Sequence, residues 1–208
     1  MPPEDKDRRQ QILDAAQQVF AKKGFHGASI KDLAKAAGIS PGLLYWYFKD
    51  KTDLFTSLLS ERITEGFGSL AEEVPFDLPP KEFLPRFGRF YVGLFERPMN
   101  AALFKVSIAN AQSFPAAVRQ VQAQLIGRVL GTLQAYFQHQ IDAGRMRPCN
   151  TEMATRVFMG SIVAYLLLRH VLGTEQGRAL PLETFVDGVV DVVLHGILPV
   201  ATSRSEEL

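Results

Sequence analysis

Ser29, Ser40 and Lys51 are side chains whose type and placement suit one definite chemistry, the holding of anions. Each serine stands where a helix is expected to begin. Its oxygen can accept an orphan backbone N–H while its O–H serves a phosphate oxygen. Lys51 follows Asp50 at a third helix start, where unpaired N–H groups also favour an anion. From Lys22 to Lys51, six lysines (22, 23, 31, 35, 49 and 51) stand against two aspartates (32 and 50), six minus two giving a local charge of +4. From Gly66 onward, 13 basic residues balance 13 acidic ones. A basic footprint on an otherwise neutral chain of net charge +1 suits a small head that reads nucleic acid, joined to a body with another task.

Catalytic and metal chemistry has no comparable foothold. The histidines at 26, 139, 170 and 195 are scattered, with no HExxH or ExxH pair, and no GxSxG, GxGxxG or Walker loop occurs. The single Cys149 forms no intramolecular disulfide and fits a reducing cytoplasm, the expected location. Neither an enzyme, a metal site nor a cofactor is expected. The N-terminus MPPEDKDRRQQ lacks the apolar core of a signal peptide. The most apolar run, Val157 to Leu168, holds 12 residues, short of the roughly 20 of a membrane span. No membrane partner is expected.

The elements that must position the anion-holding residues follow from periodicity and caps. Ser29 caps a helix with Asp32 three residues on, and Ile30, Leu33, Ala34 and Ala37 form its apolar face. Gly38 supplies the left-handed residue that ends it, Ser40 caps the next helix, and Pro41 takes its first position. Two short capped helices around Gly38-Ile39 are the helix-turn-helix pattern. An amphipathic helix from Asp7 to Lys23 precedes them and gives them a core to pack on. Asp50 caps a fourth helix with Asp53 at its third position, running to Phe67 or Leu70.

The proline-rich stretch Glu73–Pro80 is a loop. Beyond it come a helix carrying Phe83 to Phe95, a shorter one over Asn100–Ala111, and a long one from Phe114 to Ala143 capped by Ser113. Two more follow, Thr151–Leu172 capped by Thr151 and Leu182–Leu198, with a break over Gly173–Pro181. No strand pattern appears, so the chain reads as all-α with about nine helices. The division is a helix-turn-helix domain over 1–50 and a helical domain over 51–208.

From Ile12 to Leu59 the sequence resembles the DNA-binding domain of the TetR family of bacterial repressors. The matching residues are Ala16, Phe20, Gly24-Phe25, Ser29, Asp32-Leu33-Ala34, Ala37-Gly38-Ile39-Ser40, Gly42, Leu44-Tyr45, Tyr47-Phe48, Lys51 and Leu54-Phe55. The resemblance implies three helices that read DNA, with helix four as the lever to a ligand-binding, dimerising body. It implies that Gly42 and Leu43 face bases while Tyr45, Tyr47 and Lys51 hold phosphates. Gly42 offers only its backbone, and Leu43 suits a thymine methyl. Pro41 stands where relatives often carry a basic residue. Trp46 either packs on the first helix or lines the groove edge.

In the body, Phe87, Phe90, Tyr91, Phe104, Tyr136 and Phe158 are candidate walls of a pocket for a small apolar ligand. Asn110, Gln112 and His139 are candidate polar anchors facing it. The last two helices carry wide apolar faces and small residues, and relatives pair them across a two-fold axis. Val157, Ile162, Tyr165, Phe185, Val189, Val193 and Ile197 are the expected contributors to a homodimer interface. The function this implies is a repressor that binds a near-palindromic double-stranded operator and is released by its ligand. The rival is a helical carrier or protein-interaction module without DNA binding.

Overall fold

A computed structural model describes residues 3–61, 76–112 and 114–196. Ser113, Ile197, the far end of helix four and the start of the Glu73–Pro80 stretch lie outside the described residues.

Among the described residues there are ten α-helices and no strand. The head comprises α1 (Pro3–Gly27), α2 (Ile30–Ala37) and α3 (Pro41–Tyr47), followed by α4 over 51–61. The caps are the ones expected from sequence. Ser29 accepts from the Asp32 N–H while Asp32 accepts from the Ser29 N–H, completing a capping box. Gly38 closes α2 at φ 66°, a left-handed conformation that costs a residue with a Cβ energy. Ser40 accepts from the Leu43 N–H, and Asp50 accepts from the Asp53 N–H at 2.8 Å. α1 turns sharply at Gly24 (φ 71°), so its regular part ends at Lys23.

The body comprises α5 (Pro80–Glu96), α6 (Pro98–Ala109), α7 (Ala116–Asp142), α8 (Thr151–Leu166), α9 (Glu175–Ala179) and α10 (Leu182–His195). Helix ends shift by a few residues, as where α7 starts at Ala116 with Pro115 at the cap position and no side-chain cap, and three larger differences from the sequence reading stand out. Asn150, not Thr151, caps α8, accepting from the Met153 N–H at 2.9 Å. The span taken as a break holds α9, capped by Thr174 through the Gly177 N–H. Its five residues are too few for a periodicity to register. Beyond Leu166 the helix widens into a π turn over Leu167–Val171, which ends with the Leu172 N–H bonded to the Leu167 carbonyl. Gly177 lies against that turn so closely that a Cβ there would sit 2.7 Å from the Leu168 carbonyl carbon.

The run Thr151–Val171 is 21 residues of mean hydropathy 1.3, by length and composition enough to cross a membrane. Its apolar face is used inside the body, where Phe158, Ile162 and Leu166 are fully buried.

Two hydrophobic cores share the molecule. The first gathers Ile12, Leu13 and Phe20 of α1, Leu33 of α2, Leu44 and Phe48 around α3, and Leu54, Phe55 and Leu58 of α4. It also takes Phe114, Val118 and Leu125 from the start of the body's longest helix and its approach, and Leu103 from α6. The second runs from Phe83 and Phe87 on α5 through Leu133, Tyr136 and Phe137 on α7 to Phe158 and Ile162 on α8 and Val186 on α10. α7 therefore belongs to both cores. Val118 and Phe137 are separated by about 28 Å along its axis, at 1.5 Å per residue.

Candidate nucleic-acid interface and effector body

α3 is seven residues long and buries only Leu44. Pro41, Gly42, Leu43, Tyr45 and Trp46 are exposed, Trp46 at 66% and Tyr45 at 53%. Among the described residues Trp46 does not pack on α1: its ring partner is Tyr47, edge-on at 4.7 Å. Tyr47 itself is half-buried against the first core. Of the two serines, Ser29 donates its O–H to the Asp32 carboxylate at 2.7 Å, whereas the Ser40 O–H has no partner among the described residues. Lys23 also pairs with Asp32, at 2.6 Å. The Lys23 bond first, and then Ser29, hold the Asp32 carboxyl well below the usual carboxylate range. A depressed carboxylate stabilises the fold above its unfolded pKa and loses that contribution as pH falls, so the capping box is intact at neutral pH.

Lys51 has an internal task. Its ammonium donates to the Ala28 carbonyl at 2.9 Å and reaches the His26 carbonyl at 3.5 Å, while lying 4.8 Å from the centre of the Phe25 ring. A cation at the start of α4 opposes that helix's dipole, but here it satisfies the carbonyl end of α1. Lys51→Met keeps the apolar stem and loses both the hydrogen bond and the cation–π contact. We expect a loss of head stability of about 1–2 kcal/mol, measured by thermal unfolding. An unchanged midpoint would assign Lys51 to the surface alone. Lys49 is exposed, its backbone N–H given to Asp53.

The head is fastened to the body at points that sequence periodicity did not reveal. Phe114 places its ring 5.4 Å from both Phe25 and Phe55 and stacks on His26 at 6.4 Å. Gln17, almost fully buried on α1, donates to the Asn100 side chain of α6 at 3.2 Å, and Asn100 in turn donates to the Leu94 carbonyl. Arg9 pairs with Glu61 and lies over the Phe48 ring, joining α1, α4 and the end of α3. Helix four is thus one of several connections. The isolated polarity of Gln17 on an otherwise apolar face was the available signal for one of them.

In the body, Phe87, Tyr136 and Phe158 are fully buried, and Phe83 stacks on Tyr136 with ring centres 3.6 Å apart. Phe90, Tyr91 and Phe104 are half-buried, and with Phe95 they continue the row of rings along α5 and α6. Burial pushes the Tyr91 phenol up to about 12, so it stays a neutral O–H group at neutral pH. The proposed polar anchors do not converge on these rings. Gln112 is exposed, which corrects its placement as an inward-facing group: the turn after α6 directs it to solvent. Asn110 gives its side-chain N–H to the Val106 carbonyl of its own helix. His139 lies at the surface, 3.1 Å from the Asp77 carboxylate.

Two expected interface residues also need correction. Ile162 is fully buried and Tyr165 is 4% exposed, stacked on Phe185 at 4.3 Å. The helical phase of α8 points 158, 162 and 165 into its own protomer. Val157, Met153, Val163 and, on α10, Val192 stay exposed. Phe185, Val189 and Val193 are half-buried.

The family model for bacterial regulatory proteins, tetR family, matches residues 12–58, and that for AefR-like transcriptional repressor, C-terminal domain, matches residues 82–196. The second alone spans more than half of the chain. The fatty acid metabolism regulator protein of Bacillus subtilis (strain 168) is 26% identical over 153 residues, 73% of this chain and 78% of that protein. The regulator AcrR of Shigella flexneri is 46% identical over 55 residues, 26% of each. FadR from Bacillus subtilis, crystallised with stearoyl-CoA, matches with a TM-score of 0.78 at 22% identity, over 91% of this chain and 99% of that one. At that identity the likeness establishes a shared fold. With a capped helix-turn-helix head, an all-helical body and both family matches in hand, the chain belongs to the TetR family of DNA-binding transcriptional regulators.

Proposed function

We propose that this regulator is a repressor that binds a near-palindromic operator as a homodimer and is released by an apolar ligand held in the body. The exposed face of α3 carries the reading. A seven-residue helix that leaves Leu43, Tyr45 and Trp46 in solvent beside the Ser40 hydroxyl has the makeup of a recognition helix. Gly42 and Leu43 approach the bases, Ser40, Pro41 and Trp46 border them, and Tyr45, Tyr47 and Lys49 hold the backbone. Ser29 and Lys51 support that surface mainly by fixing the turn between α1 and α2.

The exposed apolar stripe of α8 and α10 supports the dimer, with Met153, Val157, Val163 and Val192 in place of Ile162 and Tyr165. Two heads would then meet half-sites about one helical turn apart, roughly 34–36 Å. For the ligand, the half-buried row Phe90, Tyr91, Phe95 and Phe104 favours a hydrocarbon chain, and the stearoyl-CoA complex of a structural relative supports an acyl one. Such a ligand weakens DNA binding only by its differential affinity for the two body conformations. Regulation of this kind operates in the cytoplasm, and no catalytic step is part of it.

Gly42→Ala tests the DNA face cleanly. A Cβ at Gly42 meets only the Ser40 oxygen, at 3.9 Å, so the fold tolerates it. Helix propensity raises head stability by up to about 1 kcal/mol. Binding to a duplex selected from random DNA should nevertheless weaken about tenfold or more, because the added methyl holds the helix off the base edges. Tyr45→Ala should instead lower affinity evenly across sequences and leave the salt slope nearly unchanged, because a neutral phenol displaces no counterion. Wild-type affinity in the alanine variant at position 42 would refute this placement of α3.

A further inference from the structure

The elbow between α5 and α6 lacks one backbone donor. The Leu94 carbonyl lies in the last turn of α5, where a continued helix would bond it to the N–H of residue 98. Residue 98 is proline, which has no N–H, so that carbonyl is left open. Asn100, on the first turn of α6, fills the gap: its side chain donates to the Leu94 carbonyl at 2.7 Å.

The same amide is engaged on its other side. A carbonyl can only accept, so the Asn100 nitrogen faces Leu94 and its oxygen faces Gln17, which donates to it at 3.2 Å. Gln17 is 7% exposed, on the face of α1 beside the buried Ala16. Leu13 and Phe20 of that helix pack with Leu33 of α2 and Leu44 of α3, so α1 moves with the recognition helix. Leu94 in turn precedes Phe95, which joins Tyr91 and Phe104 in the row of rings. One planar amide therefore ties the last turn of α5 to the head, and it cannot turn toward one partner without straining its bond to the other.

On the assignment of that row to the ligand, we propose that Asn100 is a latch coupling the row to the recognition helix, with Gln17 as the positioning residue on the head side. A ligand that parts Phe95 from Phe104 shifts the last turn of α5, and the Leu94 carbonyl draws Asn100 with it. Losing Asn100 would leave the buried Gln17 amide unpaired, which is costly, so α1 follows instead of parting from α6. Pro98 makes this dependence possible, because a backbone donor at that position would cap α5 without reference to the head. The latch acts beside the connection through α4, as a packed element with two arrangements.

The test uses the full chain with methyl-labelled leucines and a duplex selected from random DNA. Coupling is reciprocal, so duplex binding at α3 should shift the Leu94 signals of the wild type. Gln17→Met keeps the length of the side chain and removes its amide. This variant should bind the duplex as the wild type does and lose the Leu94 shift. With dodecanoyl-CoA as the effector probe, the factor by which duplex affinity falls should shrink at least about fivefold in the variant. Adding Asn100→Ala should remove no further coupling, since both changes cut one relay. A Leu94 shift that persists in Gln17→Met, or is missing from the wild type, overturns the latch. So does a variant that loses stability and duplex affinity together while keeping the shift, the mark of a merely structural Gln17. A wild type that ignores dodecanoyl-CoA removes the acyl reading of the row, and the duplex arm still decides the latch.

Discussion

Phe114→Ala should destabilise the head selectively, by about 3–5 kcal/mol. Phe114 precedes α7 in the body, yet its fully buried ring fills a space bounded by Phe25, His26 and Phe55. Truncation removes three ring contacts and opens a cavity that helices as short as α2 and α3 are poorly placed to refill. The chain's single tryptophan, Trp46, lies on α3 and reports the head alone. Its fluorescence midpoint in denaturant should fall well below the midpoint of the helical circular dichroism signal. Operator affinity should drop with it, and any ligand response should weaken, because a contact through which body motion reaches the head is gone. Midpoints that move together would mean the head does not unfold separately from the body.

Tyr136→Ala should produce the opposite order. Tyr136 is fully buried at the centre of the second core, stacked on Phe83 and touching Phe76 and Phe137. Its O–H donates to the Leu78 carbonyl at 2.8 Å. The loss should again be about 3–5 kcal/mol, now with the circular dichroism transition falling first. The proposed dimer should weaken too, since α8 and α10 pack on this core. Tyr136→Phe isolates the hydroxyl. It should cost only about 1 kcal/mol, because the ring stack survives and Gln140 still donates to the Leu78 carbonyl. A phenylalanine variant as damaged as the alanine one would show that the hydrogen bond, not the ring, organises this core.

Both results bear on how signals cross the molecule. α7 contributes to both cores, and Gln17 with Asn100 bridges α1 to α6. A ligand among the rings of α5 and α6 would therefore act on elements that touch the head directly, in parallel with α4. Coupling of this kind needs two packings of the same surfaces, not a flexible linker.

The head was legible in the residue pattern alone. Its caps, glycine turns and apolar stripes are local devices, satisfied within three or four residues, so Ser29 with Asp32, Gly38, Ser40 and Asp50 could be read directly. The all-helical body was legible for the same reason, from the 3.6-residue period. Whatever depends on groups distant in sequence was set by packing in three dimensions. It turned Ile162 and Tyr165 inward and left Val157 and Val192 outside, a matter of helix phase against neighbours that periodicity cannot fix for a helix apolar on wide faces. It gave Lys51 the carbonyl end of α1, and Phe114 a place in the head. It also set Arg145 on a buried Gln140, five residues earlier in the chain, where the sequence showed only a turn.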